Sequence, residues 1–207
     1  MAEFIAIHPV NPQARLVAPV VRALQAGGVV VYPTDSCYAL GCHIGDKAAM
    51  DRIRRIREAD RKHHFTLMCK DLSEIATYAK VYNRDYRLLK AMTPGPFTFI
   101  LRATSEVPKR LQNPRRKTIG IRVPEHPVPH AILAALGEPI MTSTLLLPGD
   151  QYPLTDARVI LDRIGHRVDI VVDGGNCGLE PTTVVDLVGE LPEVLRQGKG
   201  DASSFIQ

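Results

Sequence analysis

Apolar residues recur at helical spacing over Leu16, Val17, Val20, Val21 and Leu24. This predicts a helix between the Asn11-Pro12 start signal and the Gly27-Gly28 stop. Pro19 lies inside it and lacks a backbone donor, so a kink or a late start is expected there. The run Val29-Val30-Val31-Tyr32 reads as a strand ending at Pro33, and residues 38–42 as the next, with the polar turn Pro33-Thr34-Asp35-Ser36 between them. Asp46 is placed to cap a helix through Arg57, with Met50, Ile53 and Ile56 on one face and Arg52, Arg55 and Glu58 mostly outside it. Residues 65–69 read as a buried strand and residues 71–78 and 83–92 as helices, the second stopped by Thr93-Pro94-Gly95-Pro96. Further strands are expected over 97–101, 118–123, 140–143, 168–172, 183–187 and 194–196, and helices over 128–136 and 155–164. Interleaved helices and strands imply an α/β layered fold, and their irregular order favours a mixed sheet over a purely parallel one. No repeat, low-complexity tract or linker interrupts the 207 residues, whose length fits one domain, and residues 103–117 form the longest irregular stretch.

Charge adds a map to this pattern. The whole chain is only +4. Residues 51–70, however, hold seven basic and three acidic side chains, and residues 102–122 hold seven basic and one acidic, so the remainder of the chain is net acidic. Two basic islands on an acidic body describe a local anion-attracting surface. With 45% hydrophobic residues the chain can bury a sizeable core, and disorder is not expected. It has no apolar run long enough to span a bilayer and no signal-peptide pattern at its start, so a cytoplasmic protein is expected. Cys37, Cys42, Cys69 and Cys177 form no Cys-x-x-Cys pair and read as free, mostly buried thiols; no metal site is expected. Trp is absent and aromatics are few, which argues against a sheet that stacks RNA bases on exposed rings.

Common catalytic signatures are missing. There is no phosphate-binding Gly-x-x-x-x-Gly-Lys loop and no Gly-x-Gly-x-x-Gly after a strand, and the Gly174-Gly175 and Gly178 cluster reads as a turn. His126 and His130 are separated by Pro127 and Pro129, which disfavours a helix presenting both to a metal, and Ser143 lacks a nucleophile elbow.

What remains is a succession of short motifs at strand ends, where an open α/β sheet places its ligand crevice. In order these are Pro33-Thr34-Asp35-Ser36, Arg55-Ile56-Arg57, Phe65-Thr66-Leu67-Met68, Pro94-Gly95-Pro96-Phe97-Thr98, Arg122-Val123-Pro124, Met141-Thr142-Ser143-Thr144 and Pro181-Thr182-Thr183. The succession covers residues from about 10 to 200 and resembles the YrdC/YciO family, whose YrdC branch comprises threonylcarbamoyl-AMP synthases. The resemblance implies a YrdC-like fold, a mixed twisted open sheet of about seven strands flanked by helices, with a basic cleft for ATP, L-threonine and bicarbonate. ATP enters with Mg2+ as a substrate, and no prosthetic group is implied. Arg122 offers threonine a bidentate carboxylate partner, Thr34 and Ser36 offer hydroxyls, and Thr182 is a further candidate for threonine, while Arg196 is a phosphate candidate by family position. Arg55, Arg57, Arg61, Lys62, Ser143, Thr144 and Arg196 are the corresponding candidates for nucleotide and phosphates.

The chain departs from the synthase pattern at two places. Synthases carry Lys-x-Arg where Arg55-Ile56-Arg57 stands, and Ser-x-Asn where Thr144-Leu145-Leu146 stands. These exchanges resemble the YciO branch, and Leu146 can make none of the hydrogen bonds of an Asn side chain. His63 and His64 stand where the family has a shorter basic link. Alternatives stay open at several residues. Arg55 and Arg57 read equally as a solvated helix face, Thr34 and Ser36 also as a self-satisfied turn, and Arg115, Arg116 and Lys117 as a phosphate-seeking loop. The runner-up function is binding of double-stranded or otherwise structured RNA, such as tRNA or rRNA, through phosphates and shape.

Overall fold

The computed structural model describes residues 1–58 and 65–205. Strand β1 spans Glu3–Ala6, α1 Ala14–Gln25, β2 Val30–Tyr32, β3 Ala39–His43 and α2 Lys47–Arg57. After β4 (Thr66–Met68) come α3 (Leu72–Tyr78), α4 (Asn83–Met92), β5 (Phe97–Arg102) and β6 (Thr118–Arg122). The chain continues with α5 (Pro127–Leu136), β7 (Ile140–Thr144), α6 (Ala157–Ile164), β8 (Ile170–Asp173), β9 (Thr183–Asp186) and β10 (Glu193–Arg196).

All strands join one twisted mixed sheet flanked by helices, in the order β1-β8-β2-β3-β7-β4-β6-β5-β9-β10. It has ten strands among the described residues, against an expectation of about seven. β1 was not anticipated at all. It is a four-residue segment that pairs only with β8, in parallel, so its partner lies far along the chain and no local hairpin announces it.

Helix boundaries follow the expected chemistry. Asp46 Oδ1 accepts from the Ala49 backbone N–H at 2.9 Å at the start of α2, and Asp71 and Asp156 cap α3 and α6 in the same way. His126 caps α5, its Nδ1 accepting from the Val128 N–H at 3.2 Å. The late start considered for Pro19 does not occur: α1 begins at Ala14 and carries Pro19 in its interior. The carbonyl that Pro19 leaves without a helical donor belongs to Arg15, an exposed residue, while Val17, Val20, Val21 and Leu24 are buried. Burial of that stripe holds the helix across the missing bond.

Register divides the two faces of the sheet. Val30, Gly41, Thr142, Thr66, Gly120, Ile100 and Asp186 align across successive strands and therefore share a face. On the β1-β8-β2-β3 half of that face, α1 and α5 form a core with residues such as Val20, Leu24, Ile132, Ile170 and Val172. On the opposite face, Ile53 and Ile56 of α2, Ile75 of α3, Leu89 of α4 and Ile160 of α6 share a core with Phe99 and Ile121. β2 is buried on both sides, which explains its uninterrupted apolar run. Where the α1/α5 layer ends, the alternation along β5, β6 and β9 changes character. Phe99, Ile121 and Val185 point to the core, and Thr98, Gly120, Arg122 and Val184 line an open trough.

Candidate functional site

That trough is a cleft of about 870 Å³. Its inner end is built on the loop between β2 and β3. The Thr34 hydroxyl donates to the Cys37 carbonyl at 2.6 Å, accepts from the Ser36 N–H at 3.1 Å and lies 3.1 Å from the Ser36 hydroxyl. Thr34 therefore satisfies its own turn and does not line the cleft, whereas Ser36 does. Asp35 is the junction of this end. One carboxylate oxygen takes the Arg122 guanidinium, the other accepts from the Glu125 N–H at 3.0 Å, and the Asp35 carbonyl accepts from Lys199 Nζ. Arg122 is 6% exposed, reaches the Ser36 hydroxyl at 3.4 Å through Nη1, and keeps a buried Nε without a partner. The Thr98 and Thr182 hydroxyls meet at 2.8 Å on the same floor.

Two further arginines approach from other elements. Arg57, at the end of α2, donates to the Ser143 hydroxyl and, at 3.4 Å, to the Leu146 carbonyl. Arg196, on β10, donates to the Thr182 carbonyl at 2.8 Å, and no carboxylate pairs with it among the described residues. Desolvation lowers the Arg57 pKa from its ordinary value, and the like charge of Arg196 lowers it further. Arg196 is exposed as a residue, but its head group lies against Thr182, where desolvation likewise lowers its pKa. Two partly desolvated cations close enough to repel form a receptor for an anion. Thr144 and Leu146 line the cleft beside them. Cys37 lies on the floor, its thiol pushed up to about 11 by burial despite Arg122, Lys199 and Arg196 nearby, so it is no ready nucleophile. Among the described residues no three His, Cys, Asp or Glu side chains assemble as a metal-binding group.

Of the expected contacts, Ser36, Arg57, Arg122, Ser143, Thr144, Thr182 and Arg196 converge on the cleft. Arg55 does not. It is exposed, and its Nε donates to the Asp51 carbonyl one turn back along α2, because positions two apart on a helix point to nearly opposite sides. Arg61 and Lys62, like His63 and His64, lie outside the described residues. Arg115, Arg116 and Lys117 separate. Arg115 and Lys117 are exposed and away from the cleft lining, whereas Arg116 turns in and pairs with Asp186 at 2.6 Å. Sequence reasoning gave no role to Asp35, Asn113, Gln151 or Lys199. An acid between the two hydroxyls of the Thr34-Asp35-Ser36 turn was the available signal for Asp35. The four cysteines are free, three of them buried. No helix among the described residues is long and apolar enough to cross a membrane.

Comparison with known proteins places this geometry. A family model for Sua5, YciO and YrdC, described as telomere recombination, matches residues 22–198. The chain is 52% identical to Escherichia coli YciO over 206 residues, covering all of both chains, and matches its crystal structure with a TM-score of 0.96. It is 30% identical over 165 residues to the threonylcarbamoyl-AMP synthase of Halorhodospira halophila, covering 79% of this chain and 85% of that one. A P. abyssi Sua5 structure complexed with L-threonine shares the fold, with a TM-score of 0.86 at 22% identity over 94% of this chain and 57% of that one. The cleft thus lies along the sheet face of a shared fold, and the chain belongs to the Sua5/YciO/YrdC family.

Proposed function

We propose that the cleft binds ATP, L-threonine and bicarbonate and joins them as a threonylcarbamoyl-AMP synthase does, with turnover reduced at the nucleotide end. The observation that carries this reading is the convergence of Arg57, Arg122 and Arg196 with the Ser36, Ser143 and Thr182 hydroxyls on one floor. Relatives named as synthases and a Sua5 captured with threonine support the choice of substrates. In this chemistry the threonine amine and bicarbonate combine to a carbamate with loss of water. A carbamate oxygen then attacks the α-phosphorus of ATP, and pyrophosphate leaves with the electron pair. Arg122, held flat by Asp35, faces the threonine carboxylate, and Ser36 and Thr182 offer hydroxyls to its polar groups. Arg57 and Arg196 take the phosphates and stabilise charge moving onto the leaving group, with Mg2+ arriving as part of the ATP substrate. Leu146 supplies a carbonyl to Arg57 but no side-chain hydrogen bond, which is the reason for expecting slow turnover. The test is pyrophosphate release that requires both threonine and bicarbonate, measured for wild type beside Leu146→Asn. Release above a boiled control, increased in the variant, is expected; none in either protein would refute the proposal.

A second reading rests on the loop before β6. Lys109, Arg110, Arg115 and Lys117 are exposed there and make no ion pair among the described residues. Asn113 fixes the loop by accepting from the Arg115 and Arg116 N–H groups at 3.0 Å. Exposed cations clustered in one loop suit the phosphates of structured RNA. Binding to a tRNA hairpin that weakens steeply with salt, with a shallower slope in Arg115→Ala/Lys117→Ala, is expected; a flat salt response would exclude it.

A further inference from the structure

Arg116 lies at the outer end of the cleft, away from the end formed by Arg122. Thr118, Gly120 and Arg122 lie along one side of β6, so the two ends are four residues apart, about 13 Å at the usual rise of a strand. Asp186 occupies the same cross-strand row as Ile100 and Gly120. Its side chain is 4% exposed; one oxygen accepts from the Val188 N–H at 2.9 Å and the other takes Arg116 Nη1 at 2.6 Å. A buried, doubly bonded carboxylate therefore fixes the angle at which a half-exposed guanidinium enters the cleft. With its charge cancelled by Asp186, Arg116 is poorly suited to compete for phosphate. It keeps a flat face and further N–H groups that can donate to polar, uncharged atoms.

The surroundings match that description. Asn113, Thr118 and Gln151 add neutral donors and acceptors. The lining also holds Leu146 and three residues that are unusually exposed for their type, Tyr152 at 63%, Leu179 at 49% and Leu195 at 48%, with Glu180 as the one acid among the described lining residues. Apolar walls with a few polar groups at the end fit a flat heterocycle read at its edge.

Building on the nucleotide reading of the cleft, we propose that Arg116, seated on Asp186, is a specificity-determining residue for the heterocyclic end of a nucleotide whose phosphates lie at Arg57 and Arg196. The pair discriminates nucleotides from bare polyphosphates without adding to the affinity for phosphate itself.

Calorimetric titration with ATP and with inorganic pyrophosphate tests this. Arg116→Lys retains the charge on Asp186 but loses the planar fork, and Arg116→Ala/Asp186→Asn removes both charges together. The net charge of the cleft is thus constant throughout, and no buried acid is left unpaired. Both variants are expected to lose about tenfold in ATP affinity, the scale of one charge-assisted hydrogen bond, while pyrophosphate affinity stays within about twofold. Equal weakening of both ligands would make Arg116 a phosphate contact and overturn the proposal, as would unchanged ATP binding in both variants. A wild type that binds pyrophosphate but not ATP would overturn it together with the nucleotide reading. ATP binding by the wild type that both variants retain at full strength would overturn this proposal alone.

Discussion

Asp35→Asn removes one negative charge and almost no volume from the inner end of the cleft, and its cost can be worked from the contacts. Asp35 and Arg122 are 8% and 7% exposed as side chains, and the carboxylate serves two donors at once, the Arg122 guanidinium and the Glu125 N–H. The amide keeps one acceptor oxygen for those two donors and turns an N–H₂ toward the other. Arg122 is left charged, buried and without its counter-ion, with its Nε already unpartnered. Breaking a buried pair from one side costs about 3–5 kcal/mol. For a domain of this size that corresponds to a fall in Tm on the order of 10 °C. Denaturant unfolding with an unchanged m-value is the direct assay. The companion variant Asp35→Leu/Arg122→Met removes both charges and is expected to recover most of the loss while abolishing threonine binding. If Asp35→Asn costs less than about 1 kcal/mol, Arg122 is solvated at that end and the description of a buried, pre-oriented pair is refuted.

Other consequences are as direct. A Cβ at Gly120 would lie 3.2 Å from Thr66 Oγ1 and 3.3 Å from Thr98 Cγ2, so Gly120→Val is expected to fill the trough and lower ATP affinity at least tenfold, for an overpacking cost of about 1–3 kcal/mol; calorimetry with unchanged affinity would refute it. Burial lowers the His126 pKa below 6.5, Asp35 opposing and His130 adding to the shift. The unfolded chain then binds that proton more readily, and stability is expected to fall as pH drops through about 6.5. His126→Asn, which keeps a cap acceptor, should flatten this part of the denaturation profile; an identical profile would point to another group. Burial pushes the Cys37 and Cys177 thiols up to about 11 and about 12, so alkylation by iodoacetamide at pH 7.5 should be far slower in native than in urea-unfolded protein, as mass spectrometry would show.

The fold was legible wherever local chemistry decides the outcome. The Asp46 cap, the stop at Thr93-Pro94 and the doubly buried β2 follow from residues a few positions apart. β1 escaped because its four residues acquire strand character only from β8. The site divides along the same line. Helix phase separates Arg57 from Arg55: Ile53 and Ile56 mark the buried stripe, Arg57 lies one turn from Ile53 beside it, and Arg55 lies outside it. No such rule reaches Arg116. Its neighbours Arg115 and Lys117 carry the same charge in the same loop, and what draws Arg116 inward is Asp186, seventy positions later in sequence. Thr34 stays out of the cleft lining for the opposite reason, since a hydroxyl in a tight turn finds its partners within three residues.

The two basic islands converge on one cleft, yet they do different work in it. Arg122 and Arg116 both come from residues 102–122, and each is matched by a buried acid from elsewhere, Asp35 or Asp186. Their charge is cancelled, and what they contribute is a fixed donor geometry at the two ends. Arg57, from the other island, meets Arg196 of β10, whose like charge adds to desolvation in lowering the Arg57 pKa. Arg57 and Arg196 bring cationic groups to the middle of the cleft, and the acid-seated Arg122 and Arg116 give its ends their shape selection. A ligand with its anionic group in the middle and polar, net-neutral groups at both extremities satisfies all four arginines at once. A bare anion satisfies two of them. The same sum of charges spread evenly along the trough would have bound polyanions of any shape, so the placement of Asp35 and Asp186 sets the selectivity of the cleft more than the count of arginines does.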